Sequence, residues 1–164
     1  MNEIFERVSI RKYQDRPVEP EKIEALLRAA MAAPSAGNQQ PWEFYVVTAP
    51  EMIRALSQVH RYAGCAADAP VVLVPCYRTE GIWLPEYAPV DLAIATENLL
   101  LSIVSEGLGG VWLGIYPQQD RVAAVDKLLH LPETLHAFAL VPLGYPAESR
   151  KQQDRFDPSR IHTI

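Results

Sequence analysis

The sequence predicts one domain built from a mixture of helices and strands, and three observations carry that prediction. Apolar residues recur at amphipathic helical spacing, as in Ile23, Leu26, Leu27, Ala30 and Met31. Elsewhere they form short continuous runs of the kind a buried strand shows, as in Val71-Val72-Leu73-Val74. The 14 prolines punctuate these stretches without clustering, so neither a linker nor a disordered tract stands out. A length of 164 residues allows a substantial core. With no internal repeat and no composition shift, residues 1–164 are expected to fold as a single unit.

In chain order, Asn2 is placed to cap a short helix reaching about Val8, and residues 9–16 read as extended. Pro20 suits the first position of a helix, which Pro34 ends. The loop from Pro34 to Pro41 leads into a strand at 44–47, and Pro50 opens a helix over about 51–59. Residues 70–74 read as a buried strand. Residues 77–90 read as irregular and rich in aromatics: Tyr77, Trp83 and Tyr87. Asp91 is placed to cap a helix to about Glu106, with Gly107 just past its end. That helix is apolar around most of its circumference, so it should be covered on most sides, by its own domain or by a second subunit. A short strand is expected within 110–113, and a helix capped by Asp120 runs through Leu129. A last strand covers 138–143, with Pro142 suggesting a sheet edge or an irregular end.

Composition excludes several functions. The net charge of −5 argues against nonspecific nucleic-acid binding, so an anionic ligand needs a local basic cluster. The N-terminus has no apolar segment of a secretory signal. No apolar run reaches the ~18 residues of a membrane span. Cys65 and Cys76 form no CxxC pair, which makes a reducing cytoplasm the expected location. The four histidines lack metal-ligand spacing, and neither a Walker loop nor GxSxG is present.

Three stretches concentrate possible chemistry. If the first helix ends near Val8, Ser9 and Arg11 share one face of an extended segment and Arg7 converges from the preceding turn. Two guanidiniums and a hydroxyl suit a phosphate; a solvated basic N-terminus is the plain alternative. The turn Pro34-Ser35-Ala36-Gly37-Asn38-Gln39-Gln40-Pro41-Trp42 gathers amides able to donate to and accept from the edge of a heterocycle; an ordinary loop would look similar. Gly107-Leu108-Gly109-Gly110-Val111-Trp112-Leu113-Gly114 fails the GxGxxG spacing and follows a helix, so it is no dinucleotide fingerprint. It does expose backbone that can approach a flat ligand. Trp83 and Tyr87 read equally as a lid over a pocket or as core aromatics, and Arg155 alone reads as a surface charge.

The order of these pieces is more specific than any one of them. RxSIRKY, then AAPSAGNQQPWEF, then Asp91 with Glu97-Asn98-Leu99-Leu100-Leu101, then GLGGVWLG, then Leu-Gly-Tyr-Pro and Asp-Arg-Phe resembles the nitroreductase family along nearly the whole chain. The resemblance implies an α+β fold, an α/β/α sandwich with a mainly antiparallel central sheet, in an intertwined homodimer with FMN at the subunit interface. It implies that Arg7, Ser9, Arg11 and Arg155 hold the FMN phosphate and ribityl chain. Pro34, Ser35 and Asn38 would reach FMN from the partner subunit, and Leu113 and Gly114 would meet the isoalloxazine through backbone groups. Trp83 and Tyr87 would then border the substrate pocket.

The activity implied is ping-pong hydride transfer from NADH or NADPH to an acceptor such as a nitroaromatic or quinone, with the protein supplying position and electrostatics rather than an acid–base side chain. Flavin-consuming and dehalogenating activities lie within the same family. A flavin carrier or sensor without turnover, and a flavin-free interaction protein, are the readings outside it. Departures from the family pattern are Val8 where many relatives carry a second arginine, Gln153 where a larger branch carries a lysine, and Leu113 where that branch carries a glutamate. The tail also ends at Ile164, before the tryptophan-containing arm of many relatives.

Overall fold

The computed structural model describes residues 2–164. Chain order is α1 (Glu3–Glu6), α2 (Pro20–Met31), β1 (Trp42–Val47), α3 (Pro50–Leu56), β2 (Val71–Arg78), α4 (Ala88–Ser105), β3 (Gly109–Gly110), β4 (Leu113–Gly114), α5 (Gln119–Leu129), β5 (Leu135–Ala137) and β6 (Ala139–Gly144). The sheet runs β1-β2-β6-β3, with β4 also on β6 and β5 also on β2. Each of these pairings is antiparallel.

Helices cover both faces. On one side α2 and α4 pack Leu26, Ala30, Leu99 and Ile103 onto Val71, Leu73, Val141 and Leu143. On the other, α3 and α5 pack Ile53, Leu56, Val122 and Val125 onto Val72, Val74, Cys76 and Leu140. Successive residues of β2 therefore enter opposite cores, which is why its sequence is a continuous apolar run rather than an alternation. The result is the expected α/β/α sandwich.

Several local expectations need correction. Asn2 lies in helical backbone and makes no side-chain cap, and α1 stops at Glu6. Strand β2 extends through Arg78, and α4 begins at Ala88 after a single 3-10 turn at Pro85–Tyr87, so the irregular stretch is shorter than 77–90. Asp120 lies inside the first turn of α5 rather than at its cap. Strand β6 is interior, not an edge. Pro142 is tolerated there because pairing lapses between β3 and β4, and its carbonyl accepts from Val111 N across that gap at 3.3 Å.

The end of α4 is as expected. Gly107 has φ +71, its N–H bonds to Val104 O, and Leu108 N–H bonds to Ile103 O, the paired closure that needs a left-handed residue. The stretch Pro85–Ser105 is long and apolar enough to cross a membrane by length and composition, although Asp91 and Glu97 interrupt its apolar residues. In the fold it carries the buried Asp91 and packs between α2 and the sheet.

Candidate functional site

The N-terminal segment leaves α1 at Arg7 and lies against β3. Ser9 bridges Gly110 in parallel register, and Ile10 N donates to Gly110 O at 3.0 Å. Gly109 permits this approach: a Cβ there would stand 2.8 Å from the Ile10 side chain. Tyr13 fixes the segment from beneath, its hydroxyl donating to Ile10 O at 2.8 Å and Pro142 O at 3.0 Å, and burial pushes that phenol's pKa up.

This placement brings the predicted basic residues together. Arg7, Val8, Ser9 and Arg11 line a pocket of about 180 Å³ with the tail residues Arg150, Lys151, Gln152, Gln153 and Arg155. Gln152 holds the tail in place, its amide nitrogen donating to Arg7 O at 2.9 Å and its oxygen accepting from Arg155 Nη1 at 3.3 Å. Arg7 also faces Glu97 of α4 at 3.7 Å. Glu148 accepts from Arg11 N at 2.7 Å, and that bond, with Arg150 beside it, holds its carboxyl below the usual range. Five cations around so small a cavity form a donor set that fits a phosphate monoester dianion. Arg150 and Lys151 are not among the site residues expected from the sequence. They join Arg155 at the pocket only because the tail folds back onto Arg7, which no local spacing reveals.

Leu113 and Gly114 lie farther along the same edge of β6. Leu113 is buried, and nothing lies within 4 Å of a Cβ built on Gly114, so that side of the strand is open to a flat ligand. Gly114 O accepts from Arg121 Nη1 of α5 at 3.0 Å.

The structure does not bring Pro34, Ser35 and Asn38 into this chain's own basic pocket. They sit by the N-terminal end of α4, in a turn where Gly37, Asn38 and Gln40 all have positive φ. Such backbone persists only where surrounding contacts enforce it. The enforcing group is Asp91, read from the sequence as a helix cap. It is 2% exposed inside the first turn of α4, accepting from Ala36 N at 2.9 Å and from Gln39 Nε2 at 2.8 Å. Gln39 also donates to Leu84 O and accepts from Leu84 N, both at 3.0 Å. Trp83, 72% exposed, lays its indole over Gly37, and Tyr87 is also exposed. Both aromatics are therefore surface residues rather than core, and Trp83 lies beside the turn. Among the described residues no cluster of histidine, cysteine or acidic side chains could hold a metal.

A family model described as the nitroreductase family matches residues 4–145. A provisionally named NADH dehydrogenase/NAD(P)H nitroreductase of Methanothermobacter thermautotrophicus is 46% identical over 156 residues, covering 95% of this chain and 82% of the relative. Among solved structures, a provisionally named NADH oxidase from Clostridium acetobutylicum superposes with TM-score 0.94 at 44% identity, over 98% of this chain and 97% of that one. A provisionally named nitroreductase in complex with FMN, from Desulfovibrio desulfuricans, gives TM-score 0.86 at 26% identity, over 99% and 95%.

Proposed function

Because the chain belongs to the nitroreductase family, we propose that it is an FMN-dependent oxidoreductase that draws reducing equivalents from NADH or NADPH and passes them to a small organic acceptor, a nitroaromatic or quinone. The observation that carries this reading is the pocket of five cations in a chain of net charge −5. The names of its relatives support the same cofactor and reductant.

Bound FMN supplies the redox chemistry, accepting and returning a hydride at its ring. The chain's own residues bind and orient. Arg7, Ser9, Arg11 and Arg155 are assigned to the phosphate and ribityl chain. The Leu113–Gly114 backbone, whose open side borders this path, is assigned to the isoalloxazine. Pro34, Ser35 and Asn38 are assigned to the flavin of a second copy, and Trp83 and Tyr87 to the mouth where the acceptor arrives. The reading requires no side chain as general acid or base.

A homodimer is part of the proposal. Val90 and Ile94 are exposed on α4, Leu101 and Val104 continue the same stripe, and Phe5 of the adjoining α1 is 73% exposed. This apolar stripe, broken by the charged Glu97, supports a second copy covering it. A reducing, cytoplasmic location suits the two free cysteines.

The visible spectrum of the purified protein, recorded before and after anaerobic NADH or NADPH, tests the reading. A flavin band that bleaches on addition of either nucleotide supports it. Flavin that stays oxidised with both would make the protein a carrier or sensor. A colourless protein that takes up no added FMN would overturn the assignment.

A further inference from the structure

The turn assigned to the flavin and the segment assigned to the mouth share one set of hydrogen bonds. Asp91 holds the turn through Ala36 N and Gln39 Nε2, and Gln39 holds Leu84 through both its N–H and its C=O. The donors and acceptors are complementary in only one arrangement. The Asp91 carboxylate can only accept, so Gln39 must present its NH₂ there, and that leaves its oxygen for Leu84 N. Asp91 lies in the first turn of α4, where the helix dipole favours a negative charge. Gly37 completes the contact, since its missing side chain is what admits the Trp83 indole: a Cβ there would lie 2.6 Å from Cζ2.

We propose that Asp91 and Gln39 form a clasp that fixes the left-handed turn and the Trp83–Leu84 segment as one rigid unit, so that the flavin-contacting wall and the acceptor's mouth are set together. Asp91 and Gln39 are then positioning residues that set acceptor preference without touching acceptor or flavin. The link to acceptor preference rests on the function proposed above; the clasp itself does not.

A donor–acceptor exchange separates the clasp from general destabilisation. Gln39→Glu sets two carboxylates against each other, and Asp91→Asn sets two amide donors against each other. The double variant restores a donor facing an acceptor, with the new amide at position 91 donating to the new carboxylate at position 39, but it turns the bond to Leu84 O into a contact between two acceptor oxygens. Protein labelled with 5-fluorotryptophan gives three ¹⁹F lines, for Trp42, Trp83 and Trp112, and Trp83→Phe identifies the one required. In Gln39→Glu and Asp91→Asn the Trp83 line should shift or broaden while the other two hold. The FMN dissociation constant should rise roughly tenfold, about the effect of one lost charge-assisted bond. KM for an aromatic acceptor should change more than kcat, and the double variant should recover the part of each effect that the contact between positions 39 and 91 carries.

Gln39→Ala lies on the half-buried turn and serves as the second probe should Asp91→Asn fail to fold. A Trp83 line unmoved in both Gln39→Glu and Gln39→Ala, or a double variant no better than the worse single, overturns the clasp. If the parent binds no FMN yet its Trp83 line still responds and recovers, the clasp stands and the flavin assignment falls.

Discussion

Arg7, Ser9 and Arg11 are legible together because a chain that changes from helix to extended backbone brings them onto one side, and the change comes at Glu6, earlier than the expected Val8. Arg11 should contribute strongly to phosphate binding, since a dianion must be held against the protein's overall negative charge. Arg11→Ala should weaken FMN binding ten- to a hundredfold, the equivalent of ~1.5–3 kcal/mol, in a fluorescence titration. Riboflavin, which lacks the phosphate, should bind parent and variant alike, and Arg11→Lys should recover only part of the loss. Asp91 is not legible in the same way, because an acid just before an apolar stretch looks the same whether it caps the helix or is buried inside its first turn. Only the return of Ala36 and Gln39 to it, 55 and 52 residues away, decides the matter.

A pH effect belongs at this scale too. His60 Nε2 is buried without a hydrogen-bond partner among the described residues, and burial, with Arg121 nearby, lowers its pKa from the ordinary 6.5. The unfolded chain therefore binds this proton more readily than the folded one. Its contribution to stability is complete above about pH 6.5 and is lost as the pH falls below that value. His60→Gln should flatten the decline of the melting temperature between roughly pH 7 and pH 5, around the histidine range. An unchanged slope would assign the decline to other groups.

At the level of elements, long periodic stretches are readable and short or interrupted ones are not. The circumference of α4 announces burial, and Gly107 announces where it ends. The sequence points β6 toward an edge or an irregular end because Pro142 normally costs a ladder bond. The interruption between β3 and β4 that excuses it is a tertiary feature, and strands of two residues leave no periodicity to read. The segment between β2 and α4 is where element-level structure should govern acceptor choice. Trp83→Ala removes the indole over Gly37 but leaves the backbone of Leu84 in its bonds to Gln39. Trp83→Ala and Tyr87→Ala should therefore retain flavin through dialysis while changing the ratio of kcat/KM between a nitroaromatic and a quinone. Unaltered ratios in both would remove these aromatics from the mouth.

At the scale of the whole molecule, the two halves of the assigned flavin site lie toward opposite ends of α4. Asp91 holds the Ser35–Asn38 turn near the start of the helix, whereas Ser9 and Ile10 lie on β3 just past its end. From Asp91 to Glu106 the helix axis covers about 22 Å at ~1.5 Å per residue. Two copies joined through the exposed α4 stripe by a two-fold axis across the helices would run them antiparallel, bringing the turn of each beside the basic pocket of the other. Ile94→Arg, placed in that stripe, should convert a species of twice 18.3 kDa into one of 18.3 kDa by light scattering, with loss of FMN. A sharper test uses two lesions. Arg11→Ala weakens the phosphate pocket, and Asn38→Asp, tolerated in left-handed backbone, places a negative charge in the turn. Either homodimer should bind FMN poorly. In a heterodimer of the two, purified through different tags, a shared site puts both lesions in one pocket and leaves the other intact. That heterodimer should bind one FMN per dimer with parental affinity. If the turn serves its own chain, each pocket carries one lesion and no tight site appears, whatever the oligomer's mass.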